Sequence, residues 1–496
     1  MRMPHRKQQY LGCLPVTEVT LNPKCRDRII PILCALQHIY SQPELRSQAL
    51  DLIAHDLLGD ADPKRGRPGL TLWQVLVLAS VRLGCNFKYD HLQDLAENHI
   101  KLQQIMQVAE DWEEGSFDWR RIRDNICRVR PETIEKINHL IVAEGHRLEP
   151  SAVEAVRGDS FVAETNIHYP TESSLILDGL KKILELAPEL AGLLGLLSWR
   201  QSKSLWKKAK KVAREIGRIN KDKDKNYEAR LEAAYEKLFH IASIVLPRTQ
   251  ELLDHALENM PSDTEGLPLL EVSDLFAELI YWHSTTVHVC GTAHRRVVED
   301  EKVPNVDKLF SLFEPDTELI KRGKAGKPIE FGHKVLVIED ELGFICHYKL
   351  VPLGVDERQI LIPEMKLLYD RSQQRIKRAS FDRGFHSPRN QEELAKLIEH
   401  PCLPKPGANQ AAEQEAQATI QFRQARQNHS GVESAIGALQ SGNGLAKCRD
   451  HSQVGYARYI GLGILGRNLI ILGKLLLFSE HGDCLAAASL RGAQAA

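Results

Sequence analysis

The stretch Val156-Arg157-Gly158-Asp159-Ser160-Phe161-Val162-Ala163-Glu164-Thr165-Asn166-Ile167-His168 constrains this chain more than any other. Its β-branched and apolar residues read as an extended strand, and one acid, Asp159, stands in its middle. A carboxylate in a strand suited to a sheet centre costs free energy unless something pairs with it. Either the strand lies at an edge with Asp159 in water, or a partner is brought to it. A divalent cation is one such partner, and it would draw on further carboxylates. Two later stretches offer them, around Asp382 and Glu433.

The hydrophobic period sets the frame around that strand. His168-Tyr169-Pro170-Thr171 reads as a turn, and a long helical stretch follows to about residue 320. From Glu330 the pattern changes to strands: Val335–Ile338 and Phe344–Val351 flank an Asp340-Glu341-Leu342-Gly343 turn. A helix over Pro363–Ser372, a strand over Ile376–Phe381 ending at Asp382, and a further helix complete the order. With the helical insertion (about 172–325) set aside, this is a mixed α/β sheet. The expected division is an all-α N-terminal domain over 1–150, an α/β domain over 151–480 and a loose tail over 481–496. Residues 405–420, rich in Gly, Ala, Gln and Glu, read as a loop, with a helix beginning near Ser430. The last helix, with Leu462, Leu465, Leu469, Leu472 and Leu476 on one stripe and isoleucines on another, is expected to be buried against the sheet.

In the N-terminal region Thr71 and Gln74 have capping-box spacing, and Leu72, Val75, Leu76, Ala79 and Leu83 keep helical period. A second helix begins at Tyr89, so the pair fits a helix-turn-helix or any other αα-hairpin. Lys64-Arg65-Gly66-Arg67-Pro68 has the makings of a minor-groove arm through Arg65 and Arg67. Trp119–Arg130 holds five arginines, Arg120 and Arg121 among them, against one acid, Asp124. Both features fit a solvated face or a linker as well. A further helix starts at Pro131, the first helical position, and is expected to end near Gly145.

Formal net charge is −1, so any nucleic-acid affinity must come from local patches. Within the insertion, Arg200–Arg230 carries 12 basic and 4 acidic residues, whereas Arg248–Glu278 carries 1 and 8. Lys207, Lys208, Lys210 and Lys211 could track phosphates, or the two halves could pair and neutralise one another. The ten cysteines form no C-x-x-C pair or zinc-finger spacing, and read as reduced thiols. The basic N-terminus is followed by no apolar core of signal-peptide length. In the apolar stretch from Tyr456 to Phe478 the longest uncharged run is 8 residues, Tyr459–Gly466, before Arg467 interrupts it. A span needs about 20, so no membrane segment and a cytoplasmic location are expected.

Asp382 lies in Ser380-Phe381-Asp382-Arg383-Gly384-Phe385-His386-Ser387-Pro388. An acid at the carboxyl end of a strand, before a glycine turn and a helix capped by Ser387, is where α/β sheets place functional groups. Asp382 could equally serve the turn or pair with Arg383. Glu433 lies in His429-Ser430-Gly431-Val432-Glu433-Ser434, where Ser430 and Glu433 have capping-box spacing. A cap would account for this glutamate; alternatively a first helical turn aims it at the strand ends. Taken together, two strand aspartates and one helix glutamate in this order match an RNase H-like arrangement. Hard oxygen ligands of this kind suit Mg²⁺ or Mn²⁺. Two such ions about 3.5–4 Å apart would serve phosphodiester cleavage.

Gly158-Asp159-Ser160 with Thr165–Thr171, Asp382-Arg383-Gly384-Phe385, and Val432-Glu433-Ser434 with Gly442-Asn443-Gly444-Leu445 together resemble the ISNCY-type insertion-sequence transposases, within the DDE superfamily. The resemblance runs from about residue 70 to 475. It implies that Asp159, Asp382 and Glu433 are catalytic metal ligands, with the two aspartates holding the ions and Glu433 completing one site. It also implies hydrolysis at transposon ends followed by transfer of the 3′-OH into target DNA, by a homodimer or larger assembly. Related families carry Arg four residues before the glutamate and Lys seven after; here those positions are His429 and Gln440, so that phosphate-clamping role does not transfer. His168 and His386, beside the aspartates, remain unassigned. The competing expectations are a catalytically silent or domesticated DNA-binding protein and a different RNase H-like nuclease.

Overall fold

The structure, a computed structural model, describes residues 2–5, 14–59, 69–108, 117–222, 225–259, 267–324, 327–405, 407 and 419–480. The Arg65/Arg67 arm, most of the 405–420 loop and the 481–496 tail lie outside the described residues.

The N-terminal region is helical: α1 (Ile29–Ser41), α2 (Pro43–Leu58), α3 (Leu72–Gly84), α4 (Tyr89–Asn98), α5 (Ile100–Ile105), α6 (Trp119–Arg128) and α7 (Pro131–Leu148). Strand β1 (Ala155–Glu164) follows, then α8 (Glu172–Leu193), α9 (Ser202–Ile219), α10 (Tyr227–Glu258) and α11 (Leu267–Val297). The remainder comprises β2 (Glu318–Lys324), β3 (Lys327–Asp340), β4 (Ile345–Leu350), α12 (Glu357–Arg371), β5 (Arg378–Phe381), α13 (Pro388–Leu397), β6 (His400–Cys402), α14 (Ile420–Gly442) and α15 (Gln453–Glu480). The chain is mixed α/β, as its hydrophobic periods indicate.

Two compact units emerge, Met1–Asn166 with Gly332–Ala496, and Ile167–Phe331. The second is the helical insertion, a few residues wider at each end than its sequence boundaries. The expected boundary at residue 150 is not a boundary between compact units, because the N-terminal helices share one apolar core with the sheet. The reason is α15. It packs on α1, α3 and α7 more than on the sheet, touching β4, which corrects the expectation that it lies on the sheet. Gly84 of α3 and Gly466 of α15 meet backbone to backbone, since a Cβ on Gly466 would lie 2.5 Å from the Gly84 Cα. By length and composition α15 could cross a membrane, but 78% of its apolar window is buried inside the unit. Asn468 on α15 accepts from Ile345 N at 2.8 Å and donates to Ile345 O at 3.0 Å, satisfying backbone groups of β4 that no strand covers.

In the first unit the sheet runs β4-β3-β1-β5-β6. β1 is antiparallel to β3 and parallel to β5; β3 is antiparallel to β4, and β5 parallel to β6. β1 is therefore central, with neighbours on both sides, and the edge-strand reading of Asp159 does not hold. At the β3–β4 turn Asp340 Oδ1 accepts from the amides of Leu342, Gly343 and Phe344 at 2.9–3.0 Å, while Oδ2 meets His146 Nε2 at 2.8 Å. Cys346 Sγ lies 3.5 Å from the same Oδ2, and burial pushes this thiol well above its usual range. The buried His146–Asp340–Cys346 group thus fastens the turn to α7.

Two helix starts differ from expectation. α12 begins at Glu357 rather than Pro363: Asp356 caps it, accepting from Arg358 N at 2.9 Å, and Pro363 stands inside the helix. α14 begins at Ile420 rather than near Ser430, because Thr419 accepts from Phe422 N at 3.3 Å.

Candidate carboxylate site

Strand register places the two aspartates. The last paired residues of parallel β1 and β5 are Gly158 and Phe381, so Asp159 and Asp382 follow side by side. Adjacent strands lie about 4.8 Å apart, which sets the scale of their separation. Period-2 alternation fixes their faces. Arg157 donates to Asn428 O of α14 at 2.8 Å, and Ser380 Oγ lies 3.3 Å from His429 Nδ1 of α14. Asp159 and Asp382, each two residues on, point to that same face. Ser160 points to the other, where its hydroxyl donates to Glu357.

The packing of α14 brings Glu433 to the same level. Arg157 meets Asn428, and Gln440 Nε2 donates to Val162 O at 3.4 Å. Between these anchors β1 advances five residues and α14 twelve, about 17 and 18 Å at the standard rises. Helix and strand therefore run in step, and Glu433 falls level with Asp159. At 100° per residue, His429, Glu433 and Gln440 lie within about 40° of one another on the helix. Glu433 thus sits on the stripe whose other members touch β5 and β1. It is not a cap: Ser430 is in mid-helix, its hydroxyl donating to Gln427 O at 2.8 Å. A capping role, which would have accounted for Glu433, is removed.

Asp159 is half-buried, and Asp382 and Glu433 are exposed. Among the described residues neither the Asp382 nor the Glu433 carboxylate has an ion-pair partner, Arg383 included. His429 lies among them. Burial lowers its pKa below the usual histidine range, opposed by the nearby carboxylates of Asp382 and Glu433. Arg157 is committed elsewhere, its Nη2 donating to the fully buried Glu339 at 2.7 Å.

Glu357 is a carboxylate that the sequence reading missed. From the first turn of α12 it receives Ser160 Oγ and lies 3.3 Å from Lys334 Nζ, and a Cβ on Gly384 would come within 4.0 Å of it. It therefore approaches the same end of the sheet from the opposite face, with its charge balanced by Lys334. The signal that points to it is Asp356, a residue type favoured as an N-cap, immediately before it.

The motif Gly442-Asn443-Gly444-Leu445 docks the end of α14. Asn443 donates to Leu83 O at 3.1 Å, and Gly444 has φ +75° with Asn86 Oδ1 where a Cβ would lie. Buried Arg82 and Asp450 pair through two contacts of 3.0 and 2.5 Å beside it. A cavity of about 360 Å³ opens beneath the first half of α14, lined by Arg157, Ser380 and Asn428, but none of the three acids lines it.

The candidate nucleic-acid residues divide. All of α3 is buried, and α4 exposes Asp90, His91 and Asp94, with Lys88 exposed at its cap. On α6, Arg120 is exposed and stacks on Trp119 at 5.0 Å, and Arg121 is half-buried. Beyond that helix Arg130 is committed to Asp56 at 2.6 Å. In the second unit Lys207, Lys208, Lys210 and Lys211 are all exposed on α9. His168 lies 3.5 Å from Asp178, also in the second unit.

No protein-family model, curated protein or solved structure matches this chain.

Proposed function

We propose that the chain is a metal-dependent phosphodiester-cleaving and strand-transferring enzyme acting on DNA, an insertion-sequence transposase of the DDE kind with an RNase H-like catalytic fold. What supports this reading is that the β1–β5 register and the Arg157, Ser380 and Gln440 contacts with the helix direct Asp159, Asp382 and Glu433 to one face of the sheet. The strand order β4-β3-β1-β5-β6, with only the β1–β5–β6 half parallel, supports the RNase H-like assignment.

The donor set fits Mg²⁺ or Mn²⁺. Three carboxylates aimed at one face of the sheet, two of them exposed, offer hard-oxygen donors, although the only described group whose ligand atoms already lie within 4.8 Å of one another is the buried His146–Asp340–Cys346. Asp159 and Asp382 would hold the ions and Glu433 would complete one site. The chemistry such ions supply when bound is activation of a water or 3′-hydroxyl and neutralisation of charge on the departing oxygen. The chain supplies position. The β1–β5 register fixes the two aspartates, and the Arg157–Asn428 and Gln440–Val162 contacts fix the height of Glu433. His429, near Asp382 and Glu433, lies 3.3 Å from Ser380 Oγ. Partners under this reading are terminal inverted repeats and target DNA, with a homodimer or larger assembly holding two ends, in the cytoplasm.

The test is cleavage of a plasmid carrying the element's flanking ends, with Mg²⁺ or Mn²⁺, by wild type and Asp382→Asn. Metal-dependent nicking at the end boundary that disappears in the variant is expected. Cutting that ignores the ends or survives the substitution contradicts it, and end binding without cutting identifies a silent DNA-binding relative.

A further inference from the structure

We propose that α9 of the helical insertion is a docking ridge for the phosphate backbone of duplex DNA, independent of sequence and separate from the carboxylate site. On the helix, Lys203, Lys207, Lys210, Arg214 and Arg218 fall within an arc of about 80°, with Lys211 close beside it. All six are exposed. The buried residues Leu205, Ala209, Val212, Ile216 and Ile219 occupy the opposite side and pack into the core of the second unit. The result is a straight ridge about 22 Å long from Lys203 to Arg218, at 1.5 Å per residue.

The ridge is not neutralised by its own unit. Among the described residues no ion pair engages any of these six cations. The helix has one acid, Glu215, off the ridge and held by Lys237 of α10 at 2.8 Å. The acidic run from Arg248 to Glu278, which could have covered α9, sends Glu278 to Lys182 at 3.5 Å instead. Mutual neutralisation through direct pairs, one of the two sequence readings, is therefore absent among the described residues.

The shape selects the partner. Membrane binding by a basic amphipathic helix needs a free apolar face, and that face is already buried. Single-stranded nucleic acid calls for a row of stacking surfaces, whereas the helix offers one aromatic, half-buried Trp206, with Lys210 Nζ 6.0 Å from its ring. A duplex presents one charge per about 1.7 Å of axis, dense enough for cations spaced along the ridge each to meet a phosphate.

The test is fluorescence anisotropy of the full chain with a labelled random-sequence duplex, from low to moderate NaCl. Each phosphate contact contributes about 0.9 to the slope of log K against log salt, so Lys207→Gln/Lys210→Gln/Arg214→Gln should lower that slope by about 2.7. The binding is read without divalent metal, so its outcome does not depend on the cleavage reading. Circular dichroism verifies folding, and Lys203→Gln/Lys211→Gln/Arg218→Gln serves as an independent second variant. An unchanged slope and affinity in a folded variant overturns the proposal. So does tighter binding to a single strand of equal length, or binding to phosphatidylserine-containing vesicles but not to duplex.

Discussion

Asp159 and Asp382 stand 223 positions apart in the chain and directly beside one another in the fold, one residue beyond the last registered pair of two parallel strands. Each strand alone gives a lone acid with an ordinary explanation. The register makes them a pair, and the height of α14 adds Glu433.

The start of α14 decides how Glu433 is understood. Thr419 is its cap, so Thr419→Ala should cost about 1 kcal/mol in urea unfolding, the usual loss for a capping oxygen. Ser430→Ala and Glu433→Gln should each change stability by less than about 0.5 kcal/mol, as exposed positions in mid-helix do. A loss for the second pair as large as for Thr419→Ala would restore the cap reading.

Arg157 joins α14 to a buried acid. Its guanidinium donates to Asn428 O and to Glu339, which is fully buried beside Arg467. Arg157→Met should therefore destabilise the chain by about 3–5 kcal/mol, the cost of stranding a buried charge. Adding Glu339→Met should recover a large part of that loss, measured as a double-mutant cycle. No recovery would mean that Arg157 acts through α14 alone.

His139 makes stability depend on pH. Burial, helped by the charges of Arg371 and His347, pushes its pKa down to about 3, against 6.5 for an unperturbed ring. In the unfolded chain the ring takes a proton as pH falls through 6.5, whereas in the folded chain it stays neutral until about pH 3. Its contribution is thus complete above pH 6.5 and is lost progressively below it. Between pH 7 and 5 the loss approaches about 2 kcal/mol, less for the ring's partial exposure, and His139→Gln should flatten that part of the stability curve. An identical pH slope in the variant would place the titration elsewhere.

Local signals made much of the fold legible. The Thr71–Gln74 box, Ser387 before Pro388, and the alternation in β1, β3, β4 and β5 all reappear, because side chain and backbone settle them within a few residues. The misreadings arose where a local pattern had two meanings. Ser430 and Glu433 imitate a cap inside a helix that starts ten residues earlier, and Pro363 imitates a first helical position while sitting in the second turn of α12. β6, three residues long, has too little pattern to read. The periodicity reveals the helices of the N-terminal region, but their fusion with the sheet through Gly84, Gly466 and α15 is tertiary and leaves no periodic trace. The three acids are grouped from their order and the family resemblance; their common face rests on the Arg157, Ser380 and Gln440 contacts, which no spacing in the chain announces.

The most direct measurement of the central claim is Mn²⁺ binding to the full-length chain by electron paramagnetic resonance, with Asp159→Asn and Asp382→Asn alongside. Asp382 is exposed and has no ion-pair partner among the described residues, so its variant should fold as wild type does. The account predicts saturable Mn²⁺ uptake by wild type and a tenfold or greater loss of affinity in each variant. Unchanged Mn²⁺ binding in both folded variants would contradict a metal centre built on these carboxylates.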